Sequence, residues 1–97
     1  MNEMSPPSTA LSDPKAKEIL RAWVAHNQLH IAFHPKTWDD PFAWGLFIVD
    51  LMHHVARGYE GEGVMRAEQA LASVKAGFDA EWENRTDPGT TFPDRTN

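Results

Sequence analysis

The 97-residue sequence predicts an α+β fold in which an antiparallel β-hairpin precedes two α-helices, in the order ββαα. Three observations carry this. Two short apolar runs flank His26-Asn27, an Asp40-Pro41 helix start opens a long apolar wheel, and a second run of ordinary amphipathicity ends at Asp87-Pro88-Gly89. The predicted domain spans residues 18–85, between an N-terminal arm (1–17) and a C-terminal tail (86–97), both expected to be disordered because they are polar and rich in Pro, Ser, Thr and Asp.

The arm carries Pro6, Pro7 and Pro14 among small polar residues, with Leu11 as its one large branched aliphatic and a turn expected at Ser12-Asp13-Pro14. Beyond it, a loop at His26-Asn27 sets Ala25 opposite Gln28, Val24 opposite Leu29, Ala22 opposite Ile31 and Leu20 opposite Phe33. The six residues of the last three pairs share one face, as a half-buried hairpin requires. The other face collects Ile19, Arg21, Trp23, His30 and His34. His-Asn is a mediocre turn, because His enters the left-handed region less readily than Asn. A two-stranded unit is also marginal alone and needs a helix beneath it or more strands beside it.

Pro35 ends the second run. Asp40 can cap free amides, and Pro41 suits a first helical position. At about 100° per residue, Phe47, Leu51, Trp44, Val55, Ile48, Tyr59, Met52, Ala56, Val49 and Phe42 fill an arc of roughly 220°, while Asp50, His53, His54 and Arg57 share about 100° of the rest. A surface helix needs about half that apolar arc, so this helix requires cover from the hairpin, the second helix and something further. Gly58 is placed to end it in a left-handed cap.

The second helix is expected from about Val64 to Arg85. Val64, Ala67, Ala70, Leu71, Val74, Phe78 and Trp82 lie within roughly 120°, and Lys75 and Asp79 stand one turn apart on the wet side. Gly77 weakens it by about 1 kcal/mol relative to Ala and offers room for another helix. The tail shows no packing pattern, which leaves Phe92 and Pro93 to dangle or to dock on a partner.

An ordered region this small, with no cysteine for disulfides, falls below the ~70–80 residues at which a single core usually suffices, so completion by oligomerisation is expected. Nine Lys and Arg against fourteen Asp and Glu give a formal charge of −5, with the cations scattered, which argues against nucleic acid. Absence of cysteine excludes disulfides and thiol chemistry. The opening Met-Asn-Glu-Met-Ser-Pro-Pro reads as no secretion signal, and the apolar helix is broken by Asp50, His53 and His54 well short of the ~20 residues of a membrane span. A cytoplasmic protein with no membrane contact is expected.

Chemistry is conceivable in one place. Asp50 and His54 are four apart with His53 and Arg57 beside them, a spacing that suits a partial metal site or an aspartate orienting a histidine base. The plainer alternative is favoured: an amphipathic helix must put polar groups on its wet side, and such pairs contribute a few tenths of a kcal/mol. Two ligands of one helix do not close a zinc site, although a symmetric dimer would bring two strips together. His26, His30 and His34 recur every fourth residue, but on a strand His30 and His34 stand about 13 Å apart and cannot share an ion. Trp23 opposite His30 makes an aromatic and basic surface suited to packing on a subunit, or to walling a small ligand held by the Asp50, His53, His54 and Arg57 strip. Gly58, Gly61 and Gly63 precede a helix, yet Glu60 and Glu62 would repel phosphate and no Lys-Ser or Lys-Thr follows.

The hairpin with Trp23-Val24, the Asp40-Pro41-Phe42-Ala43-Trp44-Gly45 helix start and the Asp50, His53, His54, Ala56 and Arg57 strip resemble a family of small alphaproteobacterial proteins known as a domain of unknown function, over residues 17 to 83. The resemblance implies a bacterial cytoplasmic protein of two strands and two helices, with no catalytic residues to carry over. The residues thus point first to a self-associating, non-enzymatic homodimer without cofactor or metal. A small-ligand or metal-binding protein using the helical strip is the alternative.

Overall fold

His26 and Asn27 both adopt left-handed backbone, at φ 53° and 62°, as the two-residue loop of a tight hairpin requires. In the computed structural model, which describes residues 2–86 and 89–93, they join β1 (Leu20–Ala25) to β2 (Gln28–Phe33). The register pairs Ala25 with Gln28, Val24 with Leu29, Ala22 with Ile31 and Leu20 with Phe33, as the alternation predicts. Histidine occupies the left-handed position that it was expected to resist, because apolar pairing on both sides of the loop fixes the register.

A third strand, β3 (Thr90–Pro93), runs parallel to β2 and gives the sheet order β1-β2-β3. It comes from the tail that carries no packing pattern: four residues paired on one side are too few to show alternation. Gly89 turns the chain into it at φ 59°, against the Leu29 backbone, where a Cβ would collide with the carbonyl oxygen. Asp87 and Pro88 of the expected helix stop, and tail residues 94–97, lie outside the described residues. Ahead of the hairpin, α1 (Ser8–Ser12) is one exposed helical turn. It is followed by a turn in which Asp13 Oδ1 accepts from the Lys15 amide at 2.8 Å.

The long helix α2 (Phe42–Gly61) starts where Asp40-Pro41 predicts, with the Phe42 amide donating to Asp40 Oδ1 at 3.0 Å. Its end differs from expectation. Gly58 stays inside the helix, its carbonyl accepting from the Glu62 amide at 3.0 Å, and Gly63 at φ 73° is the left-handed residue instead. The Val64 amide then reaches back to the Tyr59 carbonyl at 3.0 Å, closing a Schellman motif. Because Val64 is used there, the next helix, α3 (Ala67–Glu83), begins three residues later than the apolar pattern implies. Two side chains satisfy its first amides: Gln69 Oε1 accepts from Arg66 at 3.4 Å, and Glu60 Oε2, from the last turn of α2, accepts from Ala67 at 3.0 Å. On the outer face of α3 the Lys75–Asp79 pair forms at 2.8 Å.

The two helices pack on each other and the strands pack on each other, while among the described residues no strand Cα comes within 8 Å of a helix Cα. The hairpin therefore meets α2 through side chains rather than through close backbone approach. Rings make the connection: Trp44 meets Phe33, Trp38 and Phe47 at centroid separations of 5.7, 5.0 and 5.8 Å. Gly77 has open space where a Cβ would stand, so no helix of this chain uses it for close approach. Only Ala56 and Ala70, from the facing sides of α2 and α3, are buried among the described residues.

Two stability effects follow. Replacing the loop by the preferred primed pair, His26→Asn with Asn27→Gly, is expected to stabilise the fold by about 1 kcal/mol, a rise in melting temperature of about 4–8 °C for a domain of this size. Glu60→Ala leaves the Ala67 amide without its carboxylate and is expected to cost about 1 kcal/mol; a denaturant midpoint unchanged from the parent would contradict the inter-helix cap.

Candidate functional site

Between the Asp40 cap and the Gly63 turn, α2 carries Asp50, His53, His54 and Arg57 through its middle turns, and all four are exposed. Arg57 Nη2 donates to His54 Nδ1 at 3.5 Å, one turn back, a solvated contact of small energy. The Asp50–His54 pairing that would orient a general base does not form: among the described residues Asp50 and His53 make no side-chain hydrogen bond. No group of three His, Asp or Glu residues there is placed to hold a metal ion. Leu46 stands one turn before Asp50 and is 57 % exposed. At roughly 40° on the wheel it falls between His53 and Arg57, so an apolar side chain continues the polar strip toward the helix start.

Trp23 and His30 are paired across the hairpin, as expected. His30 is fully engaged within the sheet. Its Nε2 lies 3.1 Å from the Ala25 carbonyl, which only accepts, so Nε2 carries the proton. In the neutral ring Nδ1 then accepts from the Thr90 hydroxyl at 2.5 Å. The imidazole thus ties β3 to the hairpin, and a ligand could take either nitrogen only by breaking that tie. Trp23 and His30 lie on the sheet, and among the described residues no close backbone approach joins the strands to the helical strip.

Neither of two depressions on the described surface contains a residue of the strip. The larger, about 540 Å³, lies on the last turns of α3 and is lined by Phe78, Glu81, Trp82 and Arg85. Phe78 and Trp82 stack there at 5.9 Å and 19°, with Trp82 77 % exposed. Glu81 accepts from both the amide and the hydroxyl of Thr86 at 2.9 Å, which fixes the chain as it leaves the helix. Sequence reading assigns Phe78 and Trp82 to the core face of this helix; the exposure of Trp82 becomes visible only once α2 is seen not to cover it. The smaller depression, about 150 Å³, lies at the open end of the hairpin among Glu18, Ile19, Arg21, Phe33 and His34. His34 Nδ1 is buried beside it without a hydrogen-bond partner among the described residues. On the same face Arg21 binds Glu18 at 2.7 Å and Glu3 at 3.1 Å, and these two carboxylates, Glu18 foremost, push the guanidinium pKa above its ordinary value.

Comparison with curated proteins finds no match. Among solved structures the chain is similar, at 35% identity and a TM-score of 0.71, to a protein of the photosynthetic bacterium Rhodopseudomonas palustrus CGA009 described as a "putative pyruvate dehydrogenase"; the match covers 100% of this chain and 97% of that one. The family model for a domain of unknown function, DUF5076, matches residues 3–86, which includes the hairpin, the Asp40-Pro41 helix start and the strip. The chain belongs to the DUF5076 family.

Proposed function

We propose that this chain is a self-associating, non-enzymatic interaction module of the cytoplasm, a homodimer whose fold is completed by the second copy. One observation carries the reading: among the described residues no side chain larger than alanine is buried. A compact protein of 10.9 kDa exposes about 5,600 Å², whereas this chain exposes 8337 Å². Its radius of gyration is 15.2 Å, against about 12.5 Å for a compact chain of this length. The exposed segment ahead of β1 carries part of the excess. Phe42, Val49, Leu51, Tyr59, Trp82 and Val24 add exposed apolar surface that a stable monomer would hide. A stable interface removes about 800 Å² per partner, so the apolar surface on offer is ample for one. The pyruvate dehydrogenase description belongs to the Rhodopseudomonas protein, and nothing in the exposed strip of α2 favours extending it to this chain.

Light scattering at micromolar concentration is expected to give the mass of two chains, and the melting temperature is expected to rise with protein concentration, as mass action requires of a folded state that needs its partner. A single-chain mass with a concentration-independent melting temperature would overturn the proposal. For the alternative, in which paired strips hold a metal, elemental analysis of protein purified without chelator is expected to find no zinc, nickel or iron retained by either the parent or His54→Ala. One ion per two chains in the parent, lost in His54→Ala, would restore the metal reading.

A further inference from the structure

β1 is the open edge of the sheet, and its hydrogen-bonding pattern follows from the register. The His34 amide donates to the Ile19 carbonyl at 3.1 Å, so Ile19 and His34 form a hydrogen-bonded pair. Alternation along an antiparallel ladder makes Arg21–Ala32 and Trp23–His30 hydrogen-bonded pairs too. The amides and carbonyls of Leu20, Ala22 and Val24 therefore point away from β2, along the open edge. Among the described residues no backbone bond reaches these three groups from elsewhere. Most of the usual protections of an edge are absent: β1 has no proline, no lysine and no bulge in its register, and its one charged residue, Arg21, is paired with Glu18 and Glu3. The opposite edge, β3, is four residues long and ends in Pro93.

We infer that β1 pairs antiparallel with β1 of a second copy about a two-fold axis at Ala22, joining two three-stranded sheets into one of six strands. The inference rests on the self-association reading above and names the surface through which it occurs. Its support is self-complementarity. Centred on Ala22, the alignment sets Ala22 against Ala22 and Leu20 against Val24 of the second copy, so the outward amides and carbonyls of all three residues are used on both chains. An alanine, Ala22, sits on the axis, where two copies of one residue must meet. On the other face the same alignment places Arg21 beside Trp23 of the second copy in the closely spaced, non-hydrogen-bonded position, where a guanidinium and an indole attract. Leu20, Ala22 and Val24 then extend the apolar face of the sheet across the junction, and Val24, 82 % exposed in one chain, gains a neighbour in Leu20 of the second.

Because the sequence contains no cysteine, one substitution tests the alignment. Cα atoms of a hydrogen-bonded pair stand about 5.5 Å apart, within the span of a disulfide, so Ala22→Cys in the full chain is expected to form a covalent dimer with oxidised glutathione. Ser73→Cys, on the exposed outer face of α3, is expected to stay reduced. Ala22→Pro removes only an outward amide and leaves the β1–β2 ladder intact; with the far-ultraviolet spectrum of the parent, it is expected to weaken the dimer at least tenfold by sedimentation. An Ala22→Cys protein that is dimeric by light scattering yet fails to cross-link, or cross-links no faster than Ser73→Cys, overturns the edge pairing and leaves self-association standing. A parent protein of single-chain mass overturns both.

Discussion

Contact between α2 and α3 is the constraint on which the rest depends, because among the described residues it is the one place where side chains are buried, and both are alanines. Alanine at the closest approach lets two helices come near, but it contributes little apolar area. The larger residues on either side of the contact, Ile48, Leu51, Val55 and Tyr59 on α2 and Phe78 on α3, remain more than a third exposed. At about 25 cal/mol for each Å² of apolar surface removed from water, these half-covered faces hold most of the stabilisation still open to the molecule. A pair of helices that meets along small residues and flanks them with large ones is half of a bundle.

The sheet is attached in a different way. Its link to the helices is the ring cluster around Trp44, in which Phe33 from the end of β2 and Trp38 from the connection meet the first turns of α2 edge-on. Each such pair contributes about 0.5–1.5 kcal/mol beyond the area it buries, enough to set the direction of the hairpin but too local to cover six apolar positions along it. Pro35 and Pro41 bound the connection and limit its freedom. The result is a sheet joined to the helices at one end, with a free edge at β1 and an apolar face on which Leu20, Ile31 and Phe33 are half-buried while Ala22, Val24 and Leu29 are exposed. The same chain thus leaves apolar side chains exposed both on the sheet and on α2.

The parts of this fold legible in the sequence are those fixed by neighbouring residues. The hairpin register followed from matching apolar pairs across His26-Asn27, and the start of α2 followed from Asp40-Pro41, because in each case a few adjacent side chains decide the backbone. Element ends were less legible where several residues competed for one role. Gly58, Gly61 and Gly63 were all able to take the left-handed cap, and the choice fell on Gly63 because Val64 could then close back on Tyr59. The strand β3 was hidden for a different reason: its partner lies some sixty residues earlier, and the Thr90 hydroxyl that meets His30 carries no local signal. The candidate site was legible as a set of residues on one helix face. Its separation from Trp23 and His30 was not, since that depends on where the sheet is attached.

The polar strip constrains the proposed assembly even without binding anything. Asp50, His53 and Arg57 lie within roughly 20–80° on the α2 wheel, opposite Leu51, Val55 and Ile48 at roughly 180–240°. Covering the strip would desolvate a carboxylate and a guanidinium that are not paired with each other, at a cost of several kcal/mol for each ion. Covering the opposite side removes apolar area from water at no such cost. In the proposed dimer the charges would thus select which side of α2 the second copy meets, by penalising the wrong arrangement. Leu46 and Phe42 are the exceptions, since they sit near the polar side and stay largely exposed at the helix start. They extend the apolar surface around the end of α2 that lies nearest the aromatic joint, where the helical and sheet surfaces of one chain come closest to forming a single face.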